Sequence, residues 1–177
     1  MTIEEAKKLI APATILPHRS QQWADLGCGT GTFSYALASL LPEGSNIICV
    51  DNETQSIPPI YDGKSLRFEK ADIQHVSLEQ NSLSGILIAN ALHYIKDQQA
   101  FIKRLDNFLT QEGSWIIVEY DTVTANPWIP YPVSFNRLKE LFKGYGDIHT
   151  LGERQSVYGH SMLYACQVKR KGSWLSL

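Results

Sequence analysis

Residues 23–33, WADLGCGTGTF, constrain the fold more than any other part of this chain. A short run closing on Asp25 and Leu26 meets three glycines at alternate positions, Gly27, Gly29 and Gly31, and residues 33–41 then space their apolar side chains as a helix does. That order is strand, glycine-rich turn, helix. In a wound α/β sheet a ligand sits beyond the carboxyl ends of the strands, where the chain leaves the first strand for the first helix. Glycine there permits positive φ and lets a ligand lie against the backbone, while the helix N-terminus offers free N–H donors. A dinucleotide site prefers G-x-G-x-x-G, but here Gly31 follows Gly29 by two positions and Thr32 stands where the third dinucleotide glycine belongs. The spacing argues against NAD.

The rest of the chain continues the alternation. Thr2 with Glu5 three residues later fits a capping box for a helix that starts at Ile3 and ends before Pro12. Strands are expected at 22–26, 46–50, 66–69, 85–89, 114–119, 148–151 and 162–169, with a polar, proline-rich stretch running up to Gly63. Helices are expected at 97–109 and 134–142, and Gly113 is expected to turn the chain into the fifth strand. The fold class predicted is α/β: a doubly wound, mostly parallel seven-stranded sheet with helices on both faces. No helix separates the last two strands, so the final one should run antiparallel. Nothing divides the chain, and residues 1–177 are expected to be one domain, with 1–20 as a leading helix and lid segment.

Length and charge narrow the function. A chain of 177 residues is expected to bury roughly 70% of the surface its unfolded form exposes. With 44% hydrophobic and 19% charged residues it has the balance of a soluble globular protein, and no run reaches the ~18 apolar residues of a membrane span. A net charge of -2 supplies no attraction for phosphate backbones, which disfavours nucleic acid and favours a small acceptor. Lys169, Arg170 and Lys171 form the only basic cluster and read as a solvated strand end. Cys28, Cys49 and Cys166 show no paired metal or disulfide spacing and are expected to be reduced packing residues, which with the lack of a secretory signal suggests a cytoplasmic protein.

Asp25-Leu26-Gly27-Cys28-Gly29-Thr30-Gly31 resembles the first motif of the class I S-adenosylmethionine-dependent methyltransferases, an acid and an apolar residue before G-x-G-x-G, at every position. The resemblance spans roughly residues 20 to 170 and implies a Rossmann-like fold and S-adenosylmethionine as cofactor. It places Asp25 near the methionine ammonium, with Gly27, Cys28, Gly29 and Gly31 forming the loop on which methionine and ribose lie. Asp51, 20 residues beyond Gly31 at the end of IICVD, stands where a carboxylate accepts ribose hydroxyls, and Asn52 is beside it. The alternative for Asp51 is a helix-capping role. The resemblance assigns Asp72 to the adenine amine and the Ile73 backbone to a ring nitrogen; the alternative for Asp72 is a turn or cap. Asn90, at the fourth strand end, would floor the cofactor.

Methyl transfer from a sulfonium is an in-line displacement, so alignment and exclusion of water can supply most of the catalysis. If the acceptor must lose a proton, His93 is the best-placed base, with Tyr94 beside it; packing or capping is the alternative for both. Glu119, Tyr120 and Asp121 end the fifth strand on the ligand side. Asn90 and Asp121 lack a third ligand, so no metal is expected. Trp128, Tyr131 and Phe135, with Pro127, Pro130 and Pro132, suggest the wall of a pocket for an apolar or aromatic acceptor, or else a cover for the sheet edge. A homodimer is compatible with this reading. A second reading is a catalytically silent protein that binds S-adenosylmethionine as a partner subunit or sensor.

Overall fold

A computed structural model of the chain describes residues 1–156 and 161–171. Its strands are β1 (Gln22–Leu26), β2 (Asn46–Asp51), β3 (Ile60–Tyr61), β4 (Lys64–Lys70), β5 (Leu83–Ala89), β6 (Leu109–Tyr120), β7 (Gly146–Gln155) and β8 (Met162–Arg170). They form one sheet in the order β3-β4-β2-β1-β5-β6-β8-β7. The pairs from β4 to β6 are parallel, and β8 runs antiparallel to both β6 and β7, as the sequence predicts for the final strand.

The sheet has eight strands rather than seven. Ile60 and Tyr61, inside the stretch read as polar and proline-rich, pair antiparallel with Ser65 and Lys64 around a turn in which Asp62 and Gly63 both have positive φ. Two residues are too few for a period-2 pattern to register. Gly113 does not precede the fifth long strand but lies within β6, whose pairing with β5 jumps from Leu83↔Leu109 to Gly85↔Ser114. The turn-like segment before the final strand lies partly outside the described residues.

The helices are α1 (Ile3–Ile10), α2 (Thr32–Ala38), α3 (Gln98–Leu105) and α4 (Phe135–Leu141). The capping box of α1 is present: Thr2 Oγ1 accepts from Glu5 N at 3.2 Å and the Glu5 carboxylate accepts from Thr2 N at 2.7 Å. Asp97 and Ser134, expected as the first residues of the last two helices, are their N-caps instead. A turn of tighter helix, Asp106–Phe108, then leads straight from α3 into β6.

One core lies between the sheet and α3 and α4, built from Phe101, Ile102, Leu138 and Leu141 against Ala24, Leu26 and Ile86; the other lies under α1 and α2, with Leu9, Ile10, Phe33 and Leu37 against Trp23, Cys49 and Leu87. Each such fully buried aliphatic side chain contributes about 1.5–3 kcal/mol of transfer free energy. In β1 the period of two sends Trp23 to one face and Ala24 and Leu26 to the other. The Trp23 ring crosses its partner Gly85, where any Cβ would come within 2.3 Å of the indole.

This winding locates a site. From β1 the chain steps outward to β2 and β4, then returns to place β5 on the opposite side of β1. The loops leaving β1 and β5 therefore diverge, and a crevice opens at their carboxyl ends, as in other wound sheets.

Candidate functional site

A cavity of about 460 Å³ occupies that crevice. Seven residues singled out in the sequence stand on its walls: Gly27, Asp51, Asn52, Asp72, Ile73, Asn90 and Tyr94. Gln74, Ala91 and Ile95 join them, and none of the three carries a signal in the sequence beyond its proximity to those residues. Asp25, Cys28, Gly29, Gly31 and His93 are not on the walls, and neither is any residue of the 1–20 segment. That segment instead lies against α2 and β7, with Arg154 3.2 Å from Glu5.

The glycine loop is held from β2. Gly27 N and Cys28 N both donate to the Val50 carbonyl, at 2.8 and 3.0 Å, and Gly29 N donates to Asp51 Oδ2 at 2.8 Å. Asp51 Oδ1 accepts from Glu53 N at 2.9 Å, so this carboxylate organises two backbone segments while facing the cavity. The glycines differ in what they make room for. At Gly27, φ is +78° and a Cβ would meet the Ala91 Cβ at 2.5 Å, which lets the β1 and β5 loops touch. At Gly29, φ is +50° and a Cβ would meet nothing within 4 Å.

Behind the loop, Asp25 is fully buried. The Ser34 hydroxyl donates to its Oδ2, while Oδ1 has no partner. Burial pushes its carboxyl up to about 7, against the Ser34 bond, and the nearby Asp51 charge adds to the rise. The neighbouring Cys49 thiol and burial hold the Cys28 thiol well above its ordinary range, which makes it unreactive.

Asp72 serves the turn and the cavity together. Its Oδ1 accepts from Gln74 N at 2.8 Å and its Oδ2 lies 3.0 Å from His75 Nδ1. From α3, Arg104 donates to the Ile73 and Val76 carbonyls at 2.7 Å each, pinning this loop from beneath. Across the cavity Asn90 has φ +53°, unusual outside glycine, and its Oδ1 is buried without a partner. Two buried acceptors without partners, on Asp25 and Asn90, thus accompany a loop whose Gly27, Cys28, Gly29 and Gly31 N–H donors are already engaged.

His93 lies in a single tight turn, Leu92–Tyr94, and is buried. Its Nδ1 is 2.7 Å from Glu119 Oε2, and its backbone N donates to Glu119 Oε1 at 3.2 Å. Tyr94 is 53% exposed on the cavity wall, its ring centroid 4.4 Å from that of His93. Asp121 caps α4 by accepting from Phe135 N at 2.9 Å, and Phe135 packs edge-on against Tyr164. Tyr131 N donates to the His93 carbonyl at 3.0 Å, which sets the proline-rich segment against the same turn.

The sequence model described as a methyltransferase domain matches residues 17–174. No curated protein matches the chain by sequence. Among solved structures it is similar to the YcgJ protein of Bacillus subtilis, at 13% identity and TM-score 0.70, covering 96% of this chain and 100% of that one. It is also similar to 1,6-didemethyltoxoflavin-N1-methyltransferase of Burkholderia thailandensis, solved with 1,6-didemethyltoxoflavin and S-adenosylhomocysteine bound, at 17% identity, TM-score 0.63 and 94% and 78% coverage. A phosphoethanolamine N-methyltransferase of Haemonchus contortus, solved with phosphomonomethylethanolamine and S-adenosylhomocysteine, shares 14% identity and TM-score 0.67 over 95% of this chain and 52% of its own. The family match covers nearly the whole chain, and the chain belongs to the methyltransferase domain family, that of the class I S-adenosylmethionine-dependent methyltransferases.

Proposed function

We propose that the chain binds S-adenosylmethionine in the crevice between the β1 and β5 loops and transfers its methyl group to a small-molecule acceptor. The observation that carries this reading is the chemistry of the walls. They bear two carboxylates and three amides, and no lysine or arginine. Such a surface suits a ligand with hydroxyls, an amine and cationic centres; a pyrophosphate would find no positive side chain to meet it.

In this reading Asp25 Oδ1 attracts the methionine ammonium, directly or through water, and the loop Gly27, Cys28, Gly29 and Gly31 supports the methionine and ribose. Asp51 and Asn52 take the ribose hydroxyls, Asp72 and the Ile73 backbone take the adenine edge, and Asn90 floors the site. When bound, the cofactor supplies an electrophilic methyl on a sulfonium. The chain's own part is to hold the acceptor in line and exclude water, which supplies most of the acceleration in a displacement with so good a leaving group. Tyr94 meets the acceptor side of the cavity. His93, one layer behind and braced by Glu119, holds Tyr94 in place and is the candidate base for an acceptor that must lose a proton. The three cysteines are free and buried, which accords with a cytoplasmic protein.

A labelled-methyl assay over a metabolite extract, run beside S-adenosylhomocysteine titration, tests the reading. Cofactor binding with transfer into a small molecule is expected; cofactor binding with no transfer would favour the silent partner subunit.

A further inference from the structure

Resting on that reading, we infer that the acceptor is a flat aromatic molecule without phosphate or carboxylate, seated on Tyr94, Tyr131 and Trp128. The segment 121–134 carries exposed aromatics on a fixed backbone. Trp128 is 78% exposed at the tip of a turn closed by reciprocal bonds of 3.1 Å between Asn126 and Ile129, and Asn126 Oδ1 accepts from Trp128 N at 2.9 Å. Gln98 Nε2 donates to the Tyr131 carbonyl at 2.9 Å, and Tyr164 OH donates to the Val133 carbonyl at 2.8 Å. Three prolines restrict the remaining backbone. A loop anchored at so many points loses little entropy when a ligand lands on it, so the large rings it leaves in water are prepared for contact.

Its position ties it to the cavity. The Tyr131 N–H bonds to the carbonyl of His93, the residue that precedes Tyr94 on the cavity wall. Phe135, the first residue of α4 just past the segment, packs on Tyr164 and lies under Lys139, and is not free to join them.

Charge selects among ring compounds. Asp51 and Asp72 on the cavity wall belong to the cofactor's end in this reading; beyond them the segment 121–134 contains Asp121, and Glu119 is buried behind His93. Neither the cavity walls nor that segment contains a lysine or arginine. Lys96, one residue past the wall residue Ile95, is the nearest cation along the chain and does not line the cavity. A phosphorylated or carboxylated acceptor would be desolvated there without the forked or ammonium partner that such anions require.

The test uses the whole chain saturated with S-adenosylhomocysteine, titrated calorimetrically with naphthol, naphthyl phosphate and phosphoethanolamine. Naphthol should bind at least about tenfold more tightly than either phosphate, and Trp128→Ala and Tyr131→Ala should each weaken it about fivefold, the scale of one lost aromatic contact. Equal or tighter binding of a phosphate compound, no naphthol binding, or indifference to both substitutions overturns the inference. Failure of S-adenosylhomocysteine itself to bind would strike the cofactor reading instead, so the two failures are separable.

Discussion

Glu119 Oε2 lies 2.7 Å from His93 Nδ1, and the same carboxylate accepts from the His93 backbone N–H at 3.2 Å. The end of β6 thereby grips both the backbone and the ring of the residue before Tyr94. Glu119 is fully buried and its other partner is the Tyr120 N–H, at 3.3 Å. Removing the carboxylate leaves these donors out of water, and each buried donor left unsatisfied costs about 1–3 kcal/mol. Glu119→Ala should therefore lower unfolding free energy by about 3 kcal/mol in urea titration, with Glu119→Gln losing less because one acceptor survives. A loss below about 1 kcal/mol would mean the grip is not structural.

The loop glycines should separate by cause. Gly27→Ala drives a Cβ to 2.5 Å from the Ala91 Cβ, so the β1 and β5 loops must part, and both stability and cofactor binding should fall. Gly29→Ala meets no atom within 4 Å, and its conformational cost is only about 1 kcal/mol. Cofactor affinity, measured by calorimetry, should nevertheless drop severely, because in the proposed site the methionine and ribose lie against this backbone. A Gly29→Ala chain with unaltered affinity would remove that position from the site.

Asp25 should make both stability and affinity depend on pH near neutrality. Burial raises its carboxyl from 3.8 to about 7, so between those values the folded chain holds a proton that the unfolded chain has released. The associated stability is fully present below the unfolded value and is lost as pH rises through about 7. Thermal midpoints of the wild type should fall from about pH 5 to about pH 8 relative to those of Asp25→Asn. A cationic ligand favours the ionised carboxylate, so S-adenosylhomocysteine affinity should rise over the same interval in the wild type and stay flat in Asp25→Asn. The opposite slope would place the ammonium elsewhere.

The fold was legible where a local pattern carried it. Glycine spacing and helical periodicity located β1, the loop and α2, and Thr2 with Glu5 marked the first helix start. What escaped depended on tertiary pairing or on brevity. Ile60–Tyr61 is too short to alternate, and the 26-residue separation between His93 and Glu119 becomes a contact only through the β5 to β6 register. Arg104 bracing the Asp72 loop, and Ala91 as the reason for Gly27, likewise belong to neighbours that sequence spacing does not identify. Of the candidate site, Asp51 and Asn90 were legible from strand ends and Asp72 from the family resemblance; that His93 would be buried behind Tyr94 was not.

Asn90 combines a strained backbone with an unpartnered buried oxygen. Asn90→Gly keeps the positive φ accessible while deleting Oδ1, so the chain should fold normally and bind S-adenosylhomocysteine about 1–2 kcal/mol less well, the worth of one buried hydrogen bond. Asn90→Ala should add a folding defect to that loss. Unchanged affinity in Asn90→Gly would leave the oxygen without a ligand partner.

The central claim, that the crevice between the β1 and β5 loops is the cofactor site, is tested most directly by calorimetric titration of the whole chain with S-adenosylmethionine, S-adenosylhomocysteine and NAD, repeated on Gly29→Val. Saturable one-to-one binding of both sulfur compounds, absent for NAD and lost in the variant, is the predicted result. Binding of NAD without response to either sulfur compound, or sulfur-compound binding untouched by Gly29→Val, would contradict it.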